Sequence, residues 1–171
     1  YSGGYSSGWG NHRVNSFGRP EKLGPPQQIL GFSHLRHSGT GGIRTYYNYA
    51  VTTPLYGELG NFGPRPLTGE AACPGYYRCD TPDGIVWEAT GTPKITLHRY
   101  RFPRPGGRIR VDFSNDGLYR EEGLYGLSAG SRLTRVSPNE ACAEVVMQGV
   151  RLYMAAACAT ASDCVLWRSG G

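Results

Sequence analysis

Short segments in which apolar and polar residues alternate recur through the middle of the chain. Four such segments are residues 75–80, 85–90, 95–102 and 108–113. Alternation with a period of two places every second side chain on the same face, as in a strand with one buried face. Pro, Gly and Asp residues separate the segments and favour turns. Short strands about ten residues apart predict a sandwich or a barrel.

Two further strands are predicted before this region. A strand-like run begins with Gln28 to Phe32, and the aromatic and β-branched residues from Tyr46 to Thr53 predict another strand that ends at Pro54. Residues 1–28 are rich in Gly, Ser and Pro, so we expect an extended segment that is held by its Tyr and Trp side chains. The Gly- and Pro-containing residues 57–69 predict a long loop.

The last third of the chain allows two interpretations. Ser137 to Glu140 has the pattern of a capping box with Pro at the first helical position, and an Ala-rich segment follows it. However, the β-branched and aromatic residues in this segment favour strands, and Gly149 interrupts it. We therefore predict two strands, 143–148 and 150–157. Residues 29–171 are thus predicted to form one all-β, antiparallel β-sandwich domain with long loops and little helix.

The composition supports many short strands in a single domain. A chain of 171 residues is of ordinary size for one domain, and its 26 Gly, 12 Pro and 12 Tyr suit frequent turns and pleated surfaces. No run of about 18 apolar residues occurs, so no membrane span is predicted.

The net charge of +5 raises the question of a nucleic-acid partner. The densest group of basic residues comprises Arg99, Arg101, Arg104, Arg108 and Arg110. Several of them alternate with apolar residues inside predicted strands, which is typical of a solvated sheet face. Because no nucleic-acid-binding motif accompanies the group, we expect no nucleic-acid partner.

The five cysteines lack the two-residue spacing of a zinc knuckle. Cys73 and Cys79 are six residues apart, and so are Cys158 and Cys164. Local disulfides Cys73–Cys79 and Cys158–Cys164 would suit a secreted, extracellular or luminal protein, and Cys142 would then be left over. Five reduced cysteines are the alternative.

Three segments between residues 29 and 103 carry a more specific sequence. Residues 31–41 read GFSHLRHSGTG, residues 70–77 read EAACPGYY, and residues 87–103 contain WEATGT followed by HRYRFP. In the same order, they resemble the G-F-S-H-x-H-x-S-G-x-G, E-x-A-x-P-G-Y-Y and E-L-T-A-T with H-R-Y-x-F-P segments of family 92 glycoside hydrolases. These enzymes are calcium-dependent exo-α-mannosidases.

The resemblance implies an N-terminal β-sandwich that in this family packs on a larger (α/α) barrel, with the active site between the two. It also implies that the calcium ligands and both catalytic carboxylates belong to the barrel. We therefore expect this chain to comprise the sandwich without the catalytic barrel, to carry no catalytic or metal-binding residue, and to hold no cofactor of its own. Calcium is expected only with the catalytic domain. Glu88, inside a predicted strand, is expected to pair with an Arg.

The first of the three segments supplies the candidate contact residues. Glycines allow a close approach of the backbone to a ligand, and hydroxyl and imidazole groups form hydrogen bonds with sugar hydroxyls. The candidates for carbohydrate or interface contact are Phe32, Ser33, His34, Arg36, Ser38, Gly39, Thr40, Gly41 and Tyr76. Arg36 stands where the family has its second His, which changes the charge and the hydrogen-bond geometry.

Each candidate also has a structural interpretation. Phe32 either stacks on a sugar ring or fills the core, and the glycine-rich segment either contacts a ligand or forms a tight turn with His34 bonded to the backbone. Tyr76 and Tyr77 are expected on opposite faces of a strand, one in the core and one at an interface. Two functions remain open, besides a basic nucleic-acid binder as the second alternative. The chain is either a non-catalytic module that contacts a glycan or a neighbouring protein subunit, or part of an active mannosidase completed by a catalytic-barrel chain.

Overall fold

The computed structural model describes residues 4–7, 28–34, 49–59, 65–92, 95–113, 130–147, 150–160 and 163–166. All regular secondary structure in these ranges is β-strand. The strands are β1 (Gly4–Ser7), β2 (Gln28–His34), β3 (Tyr49–Leu55), β4 (Arg65–Pro66), β5 (Gly69–Cys73), β6 (Tyr76–Asp80), β7 (Val86–Gly91), β8 (Thr96–Arg101), β9 (Arg108–Asp112), β10 (Gly130–Ser137), β11 (Glu140–Met147) and β12 (Val150–Ala157). No helix that could span a membrane occurs in the described ranges.

The strands form three antiparallel sheets. Sheet A has the order β1-β2-β3-β9, and the short β4 also pairs with β2. Sheet B is the meander β5-β6-β7-β8, and sheet C is the meander β10-β11-β12. Each neighbouring pair is antiparallel, so the predicted all-β, antiparallel architecture is confirmed.

Two hydrophobic clusters join sheet A to the other two sheets. In the first, Ile29 and Phe32 of β2 pack with residues of sheet B that include Tyr77 and Trp87. In the second, Ala50 of β3 packs with residues of sheet C and with Phe113. All residues of β3 from Ala50 to Leu55 are buried, so this strand is covered on both faces. The result is a layered β-sandwich with sheet A common to both clusters.

The four alternating segments form β6 to β9, as predicted, and local turn chemistry separates them. Between β6 and β7, Gly84 has φ +78° and its N–H donates to the Thr81 carbonyl oxygen at 2.9 Å. The Asp83 carboxylate accepts a hydrogen bond from the Thr81 hydroxyl at 2.6 Å. The buried Thr81 hydroxyl also accepts a bond from the Trp87 indole N–H at 3.1 Å, so the turn is tied to the core.

The two strands predicted in the last third are confirmed as β11 and β12. Ala141, Ala143 and Val145 are buried, and the residues between them are half-buried. A period of two in burial is incompatible with a helix, so packing against sheet A outweighs the helix propensity of alanine. Ser137 forms a turn in place of a helix cap. Its hydroxyl donates a hydrogen bond to Asn139 Oδ1 at 2.7 Å and accepts one from the Asn139 backbone N–H at 3.4 Å.

Several strand boundaries differ from the prediction. β3 continues through Pro54, which pairs with Ile109 of β9. Its other neighbour, β2, is in register with β3 at Phe32 and His34, so the missing N–H of Pro54 falls beyond that pairing. The predicted loop 57–69 contains β4 and the first residue of β5, and the segment 1–28 contains β1. β10 was not predicted.

The two predicted disulfides are wrong, because all five cysteines are free. Cys73 is in register with Tyr76, whereas Cys79 is in register with Trp87 and belongs to the first hydrophobic cluster. Register partners project to the same side of a sheet, so the Cys73 and Cys79 thiols project to opposite sides of sheet B. The Cys158 sulfur lies 3.9 Å from the Thr160 hydroxyl, and Cys164 is also free. The extracellular or luminal location inferred with these disulfides stays a prediction.

Candidate functional site

The candidate contact residues divide into two groups by position. Phe32, Ser33 and His34 form the last part of β2, and Tyr76 is the first residue of β6. The remaining candidates lie outside the described residues. They are Arg36, Ser38, Gly39, Thr40 and Gly41.

Phe32 is a core residue. Only 1% of it is exposed, and its ring lies 5.1–6.0 Å from the rings of four residues of sheet B. These residues are Tyr77, Trp87, His98 and Tyr100. Three of the four contacts are edge-on, an arrangement that aromatic rings favour. Of the two roles considered for Phe32, the structure places it in the core role.

The glycine before it is required by close packing between strands. A Cβ atom on Gly31 would lie 2.7 Å from Thr53 Oγ1 and 2.8 Å from the Thr52 carbonyl oxygen, and it would also meet the Val51 side chain. No conformational change of Gly31 alone relieves contacts with a neighbouring backbone. The opening of the GFSH segment therefore fixes β2 against β3 and against sheet B.

The far end of β2 carries a local irregularity. Phe32 is in register with Thr52 and His34 with Tyr49, so three residue steps of β3 oppose two of β2. Ala50 occupies the extra position with φ +51°, a left-handed conformation that is uncommon for a residue with a side chain. The backbone of Ser33 and His34 is thus held between Gly4 of β1 and this bulge.

The second segment forms the β5–β6 hairpin. Cys73 and Tyr76 are register partners on either side of Pro74-Gly75, and Gly75 has φ +82°, as the third position of a type II turn requires. The Tyr77 hydroxyl donates to Glu70 Oε1 at 2.6 Å. Tyr77 is buried and Tyr76 is at the surface, so the prediction that they occupy opposite faces is confirmed.

Glu88 of β7 is the centre of a polar network on the side of sheet B that faces away from β2. Its side chain is 7% exposed. Arg99 donates through Nε to Oε2 and through Nη2 to Oε1, both at 2.7 Å, and the Tyr76 hydroxyl donates to Oε1 at 2.7 Å. Arg101 Nε lies 3.6 Å from Oε2. The expected pairing of Glu88 with an Arg is confirmed.

These contacts determine the charge of Glu88. The hydrogen bonds from Arg99, then that from Tyr76, lower the pKa of Glu88 from 4.5 to about 2. Glu88 is therefore an anion at neutral pH. A general acid must carry a proton at the working pH, which requires a raised pKa. The network makes Glu88 a structural anion.

Each of the other ion pairs in the described residues joins one Arg to one carboxylate, unlike Glu88 with its two arginines. They are Arg65–Asp83, Arg78–Asp80, Arg110–Asp112, Arg135–Asp163 and Arg151–Glu144. Within the basic group noted above, Arg104 places its guanidinium 4.5 Å from the centre of the Tyr56 ring. Most of that group thus has partners in this chain. In the described part of the chain, no group of three His, Cys, Asp or Glu residues is placed to hold a metal ion.

The third segment contributes to both sides of sheet B. His98 and Tyr100 face Phe32, and the Tyr100 hydroxyl lies 3.1 Å from His98 Nδ1. Arg99 and Arg101 alternate with them and face Glu88. Sequence reasoning did not foresee that Tyr76, Glu88 and Arg99 meet. Their meeting depends on the register that places Glu88 opposite Arg99 and Tyr76 opposite Thr90, and no single segment reveals that register.

Comparison with known proteins supports the family suggested by the three segments. The family model described as the glycosyl hydrolase family 92 N-terminal domain matches residues 24–161. The comparison with curated proteins found no match, and neither did the comparison with solved structures. The matched residues include β2 to β12 and contain both hydrophobic clusters. Because the match covers most of its length, the chain belongs to the family of glycosyl hydrolase family 92 N-terminal domains.

Proposed function

We propose that this chain is a non-catalytic, carbohydrate-contacting module, and that the contact is made by the end of β2 and the residues that follow it. The observation that carries the first half of the proposal is the state of Glu88. A carboxylate with two 2.7 Å bonds from Arg99 and a pKa of about 2 stabilises the sheet and is unsuited to donating a proton.

The requirements of glycoside hydrolysis support this division of roles. The reaction needs a protonated carboxyl and a second carboxylate, about 6.5–9.5 Å apart in inverting enzymes. The carboxylates of Asp80, Asp83 and Asp112 each lie 2.6–3.1 Å from an Arg nitrogen of this chain, so all three are engaged in ion pairs within the sandwich. The acid and base would then come from a catalytic-barrel chain, and calcium would bind there.

The carbohydrate contact is supported by the anchoring of β2. Phe32 and Gly31 fix the strand by ring packing and close backbone approach, immediately before Ser33 and His34. A binding group is most effective when a rigid element positions it. Beyond His34 the sequence supplies further hydroxyl groups and glycines up to Gly41. Such groups form hydrogen bonds with sugar hydroxyls.

A titration monitored by two-dimensional NMR tests the contact. The ¹⁵N-labelled chain is titrated with methyl α-D-mannopyranoside, and methyl α-D-galactopyranoside serves as the matched sugar. We expect amide shifts within residues 33–41 for the mannoside, and we expect the double variant His34→Ala/Arg36→Ala to lose them. Thr134→Ala, an exposed change in sheet C, is the control and should bind normally. Shifts confined to other regions, or none at millimolar mannoside, would contradict the proposal.

An activity assay tests the division of roles. The chain is incubated with an α-1,2-linked mannobiose and calcium, alone and together with a separately produced (α/α) barrel of a family 92 enzyme. We expect no release of mannose from the chain alone. Release by the chain alone would overturn the non-catalytic assignment. Release only in the mixture would identify the chain as the completing half of an active mannosidase.

A further inference from the structure

The side of sheet B that faces away from β2 is a second surface with a distinct chemistry. The strand residues that alternate with the core residues Tyr77, Trp87 and Tyr100 project to this side. We refer to it as the outer surface of sheet B and define it by Tyr76, Glu88, Ile95, Leu97, Arg99 and Arg101. It lies on the opposite side of sheet B from Phe32 and therefore does not depend on the proposed sugar contact.

Hydrogen-bond donors outnumber acceptors on this surface. Both oxygens of Glu88 are occupied, Oε1 by Tyr76 and Arg99 and Oε2 by Arg99 and Arg101. The side chains of Arg99 and Arg101 are nevertheless 69% and 55% exposed. A guanidinium has five N–H donors, so each Arg retains donors that face solvent. Arg78 and Asp80 of β6 project to the same side and pair with each other. Two carboxylates and three guanidiniums thus leave a net charge of +1, which attracts anionic groups.

Large aliphatic side chains accompany the exposed arginines. Leu97 is 65% exposed and Ile95 is 62% exposed. Leu97, Arg99 and Arg101 follow one another at a spacing of two along β8, so they form one row on the outer surface. Among the described strands, β8 pairs with β7 and ends sheet B. Within the described residues its other edge has no strand partner, and a strand edge carries backbone N–H and C=O groups with which an added strand pairs.

We propose that the outer surface of sheet B docks an extended, acidic protein segment in which carboxylate and aliphatic side chains alternate. Carboxylates of the segment would bind Arg99 and Arg101, aliphatic side chains would cover Leu97 and Ile95, and the backbone would pair with β8. A strand edge and the exposed aliphatic side chains beside it favour a peptide over an acidic polysaccharide, because a peptide backbone can extend the sheet and a polysaccharide cannot.

Fluorescence anisotropy with a labelled peptide of alternating Val and Glu tests this proposal. The matched probe has Gln in place of Glu. We expect the acidic peptide to bind the wild-type chain more tightly than the Gln peptide, and we expect added salt to weaken its binding. Equal binding of the two peptides, or no binding of either, would overturn the proposal.

Two variants with opposite expected effects on peptide affinity make the test specific. Arg101→Glu should weaken binding of the acidic peptide about tenfold, because it reverses a charge at the contact. Glu88→Gln removes the anion that competes for the same guanidiniums, so it should tighten binding about threefold. Arg151→Glu in sheet C is the control, since Arg151 is 57% exposed and also pairs with a glutamate. Melting curves confirm folding of each variant.

Three other results would also contradict the proposed peptide contact. An equal loss of affinity in Arg151→Glu would show that net charge alone drives binding. An unchanged affinity in folded Glu88→Gln would show that Arg99 and Arg101 do not form the contact. Tighter binding of polygalacturonate than of the acidic peptide would assign the surface to an acidic glycan and overturn the proposed occupant.

Discussion

Replacement of Phe32 by Ala tests whether this residue belongs to the core or to the sugar contact. The side chain is 1% exposed and meets four rings of sheet B at 5.1–6.0 Å. Truncation of a buried Phe to Ala typically costs about 3–5 kcal/mol, and lost edge-on contacts add to the transfer term. Because about 1 kcal/mol shifts the midpoint of a chain of this size by roughly 2–4 °C, we expect a fall of about 10 °C in thermal melting.

Two matched variants separate the core role from the contact role. Phe32→Leu keeps most of the apolar volume, so it should lose only about 1–2 kcal/mol and keep its affinity for methyl α-D-mannopyranoside. Tyr153→Ala truncates a largely exposed aromatic residue and should change stability by less than about 0.5 kcal/mol. The reasoning fails if Phe32→Ala melts within about 2 °C of the wild type, or if Phe32→Leu keeps its stability and loses the sugar.

Three further predictions follow from the strand packing, the polar network and the cysteines. Gly31→Ala should lose about 2 kcal/mol relative to Gly130→Ala in urea unfolding, because a Cβ meets β3 at the first position and open space at the second; equal stabilities would contradict the close approach. The pKa of Glu88 is lowered to about 2, so its ion pairs stabilise the fold fully above pH 4.5 and are lost as the pH falls towards 2. Melting curves from pH 6 to 2 should therefore fall more steeply for the wild type than for Glu88→Gln, and parallel curves would be unexpected. Cys73 is exposed, whereas burial raises the pKa of the Cys79 thiol to about 12, so iodoacetamide should modify Cys73 before Cys79 in the native protein. Peptide mass spectrometry measures the order of modification, and modification of Cys79 first would contradict the strand register of β5 and β6.

Much of the architecture could be predicted because burial follows sequence alternation closely. In β6, Tyr77 and Cys79 are buried, and the residues that flank them are more exposed. The same period of two distinguishes a strand from a helix in the Ala-rich segment, where Ala143 and Val145 face sheet A. Where one face of a strand is buried and the other is solvated, the pattern is visible without knowledge of the neighbouring strands.

The strands that were missed or shortened lack that signal. β10 is exposed at most positions on both faces, so apolar residues do not alternate regularly along it. β3 is buried on both faces, so it shows a continuous run in which Pro54 looks like an end. Pro54 is tolerated because its neighbour β2 is in register with β3 elsewhere. Such positions depend on strand partners that are distant in sequence.

The candidate site residues could likewise be predicted only where sequence shows which strand face they occupy. Aromatic character alone does not distinguish a core ring from a sugar-stacking ring, so both roles were open for Phe32 until its four ring contacts were known. The spacing of Cys73 and Cys79 suggested a disulfide, but spacing does not reveal that the two thiols project to opposite sides of sheet B. In both cases the missing information was which face of a strand a residue occupies relative to the core.

In the described residues, the three family-like segments contribute to packing and strand register. Gly31 and Phe32 fix β2, Tyr77 fixes the β5–β6 hairpin through Glu70, and Glu88 neutralises part of the positive charge beside it. Each of these requirements would hold in a sandwich that binds no sugar at all. The family match over residues 24–161 includes these packing and register positions. In the proposed function, specificity for a glycan would then depend on the residues that follow Phe32 in the sequence, of which Ser33 and His34 are the first.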